Sequence, residues 1–399
     1  MASAFMGVRV LDFTQNQQGP SCTVLLADMG AEVIKVEPPG GEPGRSSGLG
    51  PDGYSAYFEA HNRGKKSLVL NMRTGEAKEI VRRLIPSVDV VVENYRPGVM
   101  ERWGLGYDDL AKIRSDIILA SASAWGREGP WAARPGYDHV AQALSGVMSE
   151  QGGGPEAEPH ALFGGLSDQL GGLTLAFGIA SALWVRATTG KGQHIDSSLI
   201  GSLTSLQAMP LGRYLRTGRQ PGFEFRRAAT YTHYPCAGGG YMAIAANSQA
   251  MWERLCDAAA PELKTDPRFE TPFNRFDNKM VLVGVLEELF ATKTVDEWEE
   301  LLTNADVPHA PVLTYAGVAS HPQFEANGYI QEIDHAVLGK MRVHGPPVHM
   351  SATPPRIQGG GPQLAQNNEE ILLELGYTWE QIEALNRAGV TAMVEGAGK

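Results

Sequence analysis

Short apolar runs alternate with stretches of helical periodicity along the first 200 residues, and this alternation constrains the fold more than any other feature of the chain. The apolar runs are rich in β-branched residues and nearly continuous, which is typical of strands buried on both faces. We therefore expect βαβ units on a parallel sheet, in an α/β fold with a large Rossmann-like domain. The predicted strands are Val8–Asp12, Glu32–Val36, Ser67–Asn71, Val88–Glu93 and Ile117–Ser121, and the predicted helices between them are Ser21–Met29, Gly75–Ile85 and Asp108–Arg114.

Helical spacing returns at Tyr137–Met148 and in a stretch rich in Gly and Ala, Ser167–Arg186, for which Ser167 is the predicted N-cap. A strand-like segment, GQHIDSSL, follows it. A smaller α+β unit is expected to begin near Tyr231, and Thr294 and Glu297 have the spacing of a capping box. Its predicted elements are a strand at Tyr241–Ala246 and helices at Gln249–Ala260, Lys279–Thr292 and Val295–Asn304, and the chain closes with a predicted helical pair at Glu369–Leu375 and Trp379–Ala388.

The charge balance excludes several classes of partner. With 34 Lys and Arg against 45 Asp and Glu, the formal net charge is −11, so neither nucleic acid nor an anionic membrane is expected to bind. Cys22, Cys236 and Cys256 form no CxxC pair, and the ten histidines have no metal-ligand spacing, so we expect no metal. The N-terminus has no basic, apolar leader, and no later segment is expected to span a bilayer. The sequence therefore predicts a cytoplasmic location with reduced thiols.

A glycine-rich hexapeptide, 48–53, matches the dinucleotide pattern GxGxxG letter for letter. It neither follows a predicted strand nor opens a helix, and the phosphate-binding role of that pattern depends on both. We interpret it as a chance match in a loop rich in Pro and Gly.

Two other segments are better candidates for a site. The run Glu93–Gly98 ends the fourth predicted strand, and Pro97 begins a short helix that carries Arg102. A strand end that leads into a helix N-terminus is where α/β folds bind anions, although a solvated turn fits these residues equally well. In the second segment, Asp168 follows Gly164-Gly165 and precedes Gly171-Gly172. An acid in a first helical turn is commonly structural, but flanking glycines allow a ligand to approach closely.

Taken together, the segments of this chain resemble the family III CoA-transferases, a group that includes formyl-CoA:oxalate and carnitine CoA-transferases and α-methylacyl-CoA racemase. The resemblance covers most of the chain in the same order and spacing. The matching segments are VLDFT, LLADMGAEVIKVEPPGG, NRGKKSLVLN, VVVENYRPGVMERWGLGYDDL, GYDHVAQALSG, GLSDQLGG, TGKGQHIDSSL, DPRF, GPPV and NNEEILLELGY.

The resemblance implies a large Rossmann-like, CoA-binding domain built from both chain ends, 1–200 and 340–399. A linker over 201–230, a small α+β domain over 231–320 and a return linker over 321–339 would complete the chain. It also implies a homodimer whose two chains interlock, which would account for long connections such as these linkers.

For the site, the resemblance implies that CoA binds at the carboxyl ends of the large domain's strands, and that Asp168 is the catalytic nucleophile. The substrates would be an acyl-CoA and a small carboxylic acid, with no cofactor beyond the CoA thioester itself. A glycine-rich loop covers the aspartate in the transferases, and the candidate lid here is Ala237–Gly240, with Gly238, Gly239 and Gly240, which a hairpin turn would also explain. The positions that match the family's CoA-binding residues are Gln17, Asn94, Tyr95 and Arg102.

Two alternatives to CoA transfer remain open. The racemases of the superfamily move a proton with a histidine in a G-H-D triplet, where this chain has Gly136-Tyr137-Asp138. Tyr137 is a poor base near neutral pH, and His139 lies two positions away, on a different helical face. The other alternative is a protein that binds CoA without turnover, against which Asp168 argues.

Five arginines between the two predicted domains are candidates for selecting a dicarboxylate such as succinate, because a guanidinium clamps a carboxylate with two hydrogen bonds. A solvated basic surface is the simpler explanation for most of them. They are Arg213, Arg216, Arg219, Arg226 and Arg227.

Overall fold

The computed structural model describes residues 3–220, 222–224 and 226–392. Its contacts divide the chain into two units, residues 1–222 with 325–399, and residues 223–324. The segment 201–230, expected to be a linker, carries most of one helix and the whole of a second. The segment 321–339 likewise holds a short helix and most of a β-hairpin.

A six-stranded, all-parallel sheet forms the centre of the first unit, which confirms the predicted α/β class. The strand order is β3-β2-β1-β4-β5-β6, so the chain leaves β1 in one direction for β2 and β3 and later returns to its other side. Ligands of such sheets bind at the carboxyl ends where the order reverses, here between β1 and β4. The strands are β1 (Arg9–Asp12), β2 (Glu32–Glu37), β3 (Lys66–Val69), β4 (Val90–Glu93), β5 (Ile118–Ser123) and β6 (His194–Ser198).

Ten α-helices precede the second unit in the described chain, and two single-turn 3-10 helices cover Pro43–Ser46 and Ile85–Ser87. They are α1 (Gln18–Asp28), α2 (Ala56–Asn62), α3 (Gly75–Leu84), α4 (Val99–Trp103), α5 (Tyr107–Ile113), α6 (Asp138–Ser145), α7 (Val147–Gly152), α8 (Leu166–Thr189), α9 (Leu199–Leu206) and α10 (Ala208–Thr217). The predicted helix Tyr137–Met148 is divided at Gly146, whose φ of +85° ends α6 and begins α7.

The second unit pairs a three-stranded antiparallel sheet, of order β7-β8-β9, with helices. Thr294 and Glu297 cap each other's backbone N–H groups, which confirms the predicted capping box. The elements of this unit are β7 (Tyr231–Pro235), β8 (Tyr241–Ala245), α11 (Gln249–Ala259), α12 (Pro272–Asp277), α13 (Lys279–Phe290), α14 (Val295–Asn304), β9 (His309–Pro311) and α15 (Tyr315–Ser320). The chain then continues through α16 (Pro322–Ala326), β10 (Ile330–His335), β11 (Gly339–His344), α17 (Asn368–Glu374) and α18 (Trp379–Arg387).

Alternate residues of the parallel strands point into two separate cores of the first unit. Leu11 of β1 faces a core with side chains of α3, α5, α17 and α18. Its neighbour Val10 faces the opposite core, with side chains of α1 and α8. Burial on both faces is the reason why apolar residues stand at consecutive positions of these strands, as Val10 and Leu11 do.

Helix α8 packs closely on α1 because glycines replace side chains at the contact. A Cβ at Gly171 would lie 2.8 Å from the Gln18 side chain, and one at Gly172 would lie 2.7 Å from that of Ser21. The predicted N-cap is wrong, since the cap is Gly165, with φ +79°, and Ser167 is already helical.

By length and composition α8 could cross a membrane, with a mean hydropathy of 1.4 over 18 residues, contrary to the expectation that no segment could. One such helix is weak evidence of a membrane protein, because core helices pass the same test.

Candidate active site

A cavity of about 310 Å³ opens at the carboxyl ends of β1, β4 and β5, beside the N-terminus of α8. Four of the five predicted catalytic and CoA-binding residues line it, namely Gln17, Asn94, Tyr95 and Asp168. The fifth, Arg102, does not. The cavity therefore lies at the reversal point of the strand order, and it brings these four predicted residues together from three separate stretches of sequence.

Asp168 stands in the first turn of α8, half-buried against the cavity. Within the described chain, no hydrogen bond or ion pair reaches its carboxylate. Burial, and then the negative charge of Asp138, raise the pKa of Asp168 to about 7. Desolvation therefore outweighs the effect of the helix N-terminus, which by itself would favour the ionised carboxylate. Near neutral pH the group is an unpartnered carboxylate that gains or loses its proton easily.

Asp138 fixes the start of α8 from a distant part of the chain. Its Oδ2 accepts the Gly165 N–H at 3.0 Å, and its Oδ1 accepts the Ser167 N–H at 2.7 Å together with the Ser167 hydroxyl. Burial opposes ionisation of Asp138, but these hydrogen bonds and one from Gln142 outweigh it and lower its pKa. Asp138 is thus an ionised anchor for the turn that presents Asp168. In the sequence, Asp138 stands out only as part of the Gly136-Tyr137-Asp138 triplet.

Gln17 lies directly against the turn that caps α8. Its Nε2 is 3.5 Å from the Gly165 carbonyl oxygen, and a Cβ at Gly165 would lie 2.3 Å from that nitrogen. The loop before Gln17 is held by Glu42, whose Oε2 accepts the Asn16 N–H at 3.0 Å, while Asn16 adopts a left-handed φ of +61°. The side chain of Gln17 is therefore held against the turn that precedes Asp168, on the same cavity.

Asn94 joins the loops that follow β1 and β4. Its Oδ1 accepts the Gln15 N–H at 2.8 Å, and its Nδ2 donates to the Gln15 carbonyl at 2.7 Å. Tyr95 packs edge-on against Trp103, with ring centroids 5.1 Å apart. Tyr95 and Gln15 also line a second, mostly apolar cavity of about 380 Å³ at the ends of β2 and β3.

Arg102 lies on α4 and is exposed. Among the described residues, no carboxylate forms an ion pair with it. Its guanidinium is close to Gly98, where a Cβ would lie 3.2 Å from one of its nitrogens. This cation is therefore free to meet an anion at the surface, outside the cavity that contains Asp168.

A buried ionic network beneath the site was missed by sequence reasoning. The ammonium of Lys65 donates to Asp12 Oδ2 at 3.0 Å, Thr23 Oγ1 at 2.7 Å and Asn62 Oδ1 at 2.8 Å. Burial lowers the pKa of Lys65 to about 8, although Asp12 acts in the opposite direction. Burial opposes the ionisation of Asp12, yet the nearby lysines hold its pKa at about 2. The network connects β1, α1 and α2 below the loop that carries Gln17.

Tyr57 and His61 of α2 form another group that sequence reasoning missed. Burial, and then the charge of Asp168, raise the pKa of the Tyr57 hydroxyl far above its ordinary range, so the phenol is neutral. His61 lies 2.7 Å from the Tyr57 carbonyl oxygen through Nδ1 and 2.9 Å from Gln169 Nε2 through its other nitrogen. The signal in the sequence was the position of these residues directly before the matching segment NRGKKSLVLN.

The remaining candidates are the glycines of the predicted lid and the two residues considered for proton transfer. Gly238, Gly239 and Gly240 have positive φ and form the turn of the β7–β8 hairpin, where Ala237 N–H donates to the Lys293 carbonyl at 2.8 Å. Tyr137 lines the cavity, whereas His139 is exposed on α6.

The five arginines belong to different surroundings, although all of them precede β7. Arg213 and Arg216 are exposed on α10, and Arg219 is exposed just after it. Arg226 forms an ion pair with Glu287, while Arg227 is exposed. In the part of the chain that the structure describes, no group of three or more His, Cys, Asp or Glu side chains is placed to hold a metal ion.

The fold and the cavity define an α/β protein with a ligand site at the reversal point of a parallel sheet. This site contains a carboxylate that no other described residue pairs with. Residues 5–368 match CoA-transferase family III. The chain belongs to this family and is a CoA-transferase.

Two relatives illustrate the likeness over nearly whole chains. The chain is 36% identical to the acetyl-CoA:oxalate CoA-transferase of Acetobacter aceti, over 93% of this chain and 95% of that one. It is 33% identical to the succinyl-CoA–D-citramalate CoA-transferase of Chloroflexus aurantiacus, over 95% and 96%. A CAIB/BAIF family protein from Brucella suis is a similar solved structure, with a TM-score of 0.84, 33% identity and coverage of 94% of this chain and 100% of that one.

Proposed function

We propose that this protein transfers CoA from an acyl-CoA to a carboxylic acid through covalent intermediates on Asp168. The Asp168 carboxylate attacks the thioester carbonyl and expels the CoA thiolate, which leaves a mixed anhydride between the acyl group and the aspartate. The thiolate then attacks the aspartyl carbonyl, giving an aspartyl-CoA thioester and the free donor acid. The acceptor carboxylate repeats both steps in reverse. Acyl-CoA and acid are consumed, and a new acyl-CoA and acid are formed, with no net proton.

The observation that carries this proposal is the isolation of the Asp168 carboxylate at a cavity. A carboxylate with all its lone pairs in hydrogen bonds is a poor nucleophile, whereas Asp168 accepts none from the described residues. The pKa of about 7 indicates a base stronger than an ordinary aspartate, since a higher pKa accompanies greater basicity. The amide of Gln17 contacts Gly165 and lines the same cavity, and it would donate to oxygens that develop charge at Asp168.

Coenzyme A would lie across the loops after β1 and β4, with its thioester at Asp168. Tyr95 offers an aromatic surface between the two cavities, and Arg102 offers a cation outside them for the phosphates. The amide of Asn94 holds the binding loop through two hydrogen bonds to Gln15, and its second N–H would remain for CoA, since Asn94 lines the cavity.

A second copy of the chain and a closing loop are further parts of the proposal. Long apolar side chains of α8 and α10 are exposed, with Phe177 at 76%, Trp184 at 71%, Met209 at 85% and Leu215 at 75%. An apolar surface of this kind is typical of a subunit interface, which supports an interlocked homodimer with Rossmann-like large domains. The Gly238–Gly240 turn would act as the lid that keeps water from the anhydride. Buried, unpaired cysteines are consistent with a cytoplasmic location.

The carboxylate partner is proposed to be a dicarboxylate. The names of both relatives contain one, as oxalate in the first and as succinyl-CoA and D-citramalate in the second. Proton transfer of the racemase kind has less support, since Tyr137 occupies the position of the racemase histidine.

The experiment is a matrix of acyl-CoA donors and carboxylate acceptors, with exchanged thioester and free CoA measured by mass spectrometry. Transfer that requires both partners supports the proposal. Deuterium uptake α to the thioester without an acceptor would instead favour racemisation, and binding without turnover would reduce the protein to a CoA-binding one.

A further inference from the structure

One cation of the active-site cavity has no task in the mechanism above. Arg134 lines the same cavity as Asp168, is exposed, and has no ion pair with any carboxylate in the described chain. Its guanidinium lies over the ring of Trp131, 4.1 Å from the ring centroid. Stacking of this kind holds the planar group in place while its N–H edges stay available for an anion.

The Trp131 ring on which Arg134 stacks is itself held in place. Trp131 meets Trp125 edge-to-face, with ring centroids 5.1 Å apart. The Trp125 indole N–H donates to the Pro135 carbonyl at 3.3 Å, and a Cβ at Gly136 would lie 2.2 Å from that of Ala124. The loop that carries Arg134 is therefore packed on the chain after β5, which limits the entropy lost when the guanidinium binds a ligand.

The same loop leads directly to the nucleophile. Four residues after Arg134 comes Asp138, which accepts the N–H of Ser167, the residue before Asp168. Arg134 and Asp168 thus belong to one connected structure on one cavity of about 310 Å³, a size that suits a small acid and the end of a CoA arm rather than whole CoA. Arg96 also lines this cavity, but it lies on the loop after β4 that we assign to CoA.

We propose that Arg134, positioned by Trp131, binds the remote carboxylate of a dicarboxylic substrate while the other carboxyl group reacts at Asp168. A cation is needed at this place because an acceptor anion that enters the cavity is repelled by the negative charges of Asp168 and Asp138. A bidentate guanidinium–carboxylate pair offsets that repulsion and selects acids with a second carboxylate. This inference rests on the proposed CoA transfer, and it assigns specificity to Arg134 rather than to the five arginines before β7.

The test compares acids of equal length, succinate with butyrate and glutarate with pentanoate, as acceptors for wild type and Arg134→Gln. We expect kcat/KM for the dicarboxylates to fall about 10–100-fold, the range of one charged hydrogen-bonding pair, and kcat/KM for the monocarboxylates to change far less. Arg134→Lys keeps the charge without the fork, so it should recover only part of the loss. Trp131→Leu should shift selectivity in the same direction by a smaller factor.

The matched control is Arg83→Gln, because Arg83 is also exposed and stacked, 4.4 Å from the centroid of Tyr377, and does not line the cavity. Its selectivity should equal that of wild type. Equal losses for both acid classes in Arg134→Gln, or a dicarboxylate-specific loss in Arg213→Ala instead, would overturn the inference.

Calorimetric binding of succinate to the resting enzyme separates this inference from the transferase proposal. Weaker binding to Arg134→Gln and Arg134→Lys than to wild type supports the role of Arg134 even if no turnover is found. Equal binding to all three proteins overturns it, while transfer by wild type would leave the mechanism intact.

Discussion

Asp138 and Asp168 stand at the same end of α8, and their surroundings are opposite. Asp138 accepts four hydrogen bonds, from Gly165, Ser167 twice and Gln142, and its pKa is lowered. Asp168 accepts none from the described residues, and its pKa is raised to about 7. Two carboxylates whose environments separate their pKa values have separate tasks. One anchors the turn, and the other is left for chemistry.

The largest expected effect comes from removing the unpartnered carboxylate. Asp168→Asn should lower kcat for CoA transfer by about 10⁴-fold or more, the scale seen when a covalent nucleophile is lost, because an amide does not form the anhydride. Steady-state transfer assays measure this, and CoA binding should remain. The control is Glu76→Gln, which removes an exposed first-turn acid from α3. If the Asn variant transfers CoA at a rate near wild type, the two carboxylates do not differ as described.

Removing the anchor should cost less activity and more stability. Asp138→Ala leaves the Gly165 and Ser167 N–H groups without their acceptor, at about 1–3 kcal/mol of the free energy of unfolding. We expect a lower melting temperature and a kcat reduced about 10–100-fold through misplacement of Asp168. Thermal melts and kinetics measure the two effects. Unchanged melting together with full loss of activity would instead make Asp138 a chemical participant.

The pH dependence of kcat/KM tests the contrast between the two aspartates further. Since only ionised Asp168 attacks, kcat/KM should rise with pH through an apparent pKa of about 7. In Asp138→Asn that midpoint should move to lower pH, because a neighbouring negative charge is removed. A midpoint that stays fixed in this variant would show that Asp138 does not act on Asp168 through its charge.

Stability should follow the same titration. Folding raises the pKa of Asp168, so the folded state holds a proton that the unfolded state releases between about pH 4 and 7, and the contribution to stability is lost as pH rises through 7. Relative to wild type, Asp168→Asn should therefore become more stable at pH 8 than at pH 5. Asp138 has the opposite sign, with stability lost as pH falls below its ordinary range.

The smallest expected effect lies away from both aspartates. Arg102→Ala should raise KM about 10-fold for several acyl-CoAs alike and leave kcat nearly unchanged, because loss of a phosphate contact weakens ground state and transition state equally. Kinetics with two or more acyl-CoAs measure it. A loss confined to one acyl group would place Arg102 at the acyl pocket instead.

The parallel sheet was predictable because burial on both faces leaves a local signal. The predicted Val88–Glu93 differs from β4 by two residues at its start, and Glu32–Val36 differs from β2 by one at its end. The capping box of Thr294 was predictable for the same reason, since its partner lies three residues away.

The features that could not be predicted from the sequence depend on residues far apart in the chain. Serine is a common N-cap residue, but the hydroxyl of Ser167 donates to Asp138, which folding brings from another segment. The raised pKa of Asp168 leaves no signal in the sequence, because desolvation is a property of the folded site. Lys65 has the local sequence of a surface lysine, and only the tertiary structure buries it against Asp12.

The most direct test of the account is to detect the covalent intermediate on the unpartnered carboxylate. Wild-type enzyme given an acyl-CoA without acceptor should yield, after proteolysis and mass spectrometry, a hydroxylamine-sensitive adduct on the peptide that contains Asp168, and Asp168→Asn should yield none. An adduct on another residue, or rapid CoA transfer with no adduct at Asp168 under single-turnover conditions, would contradict it.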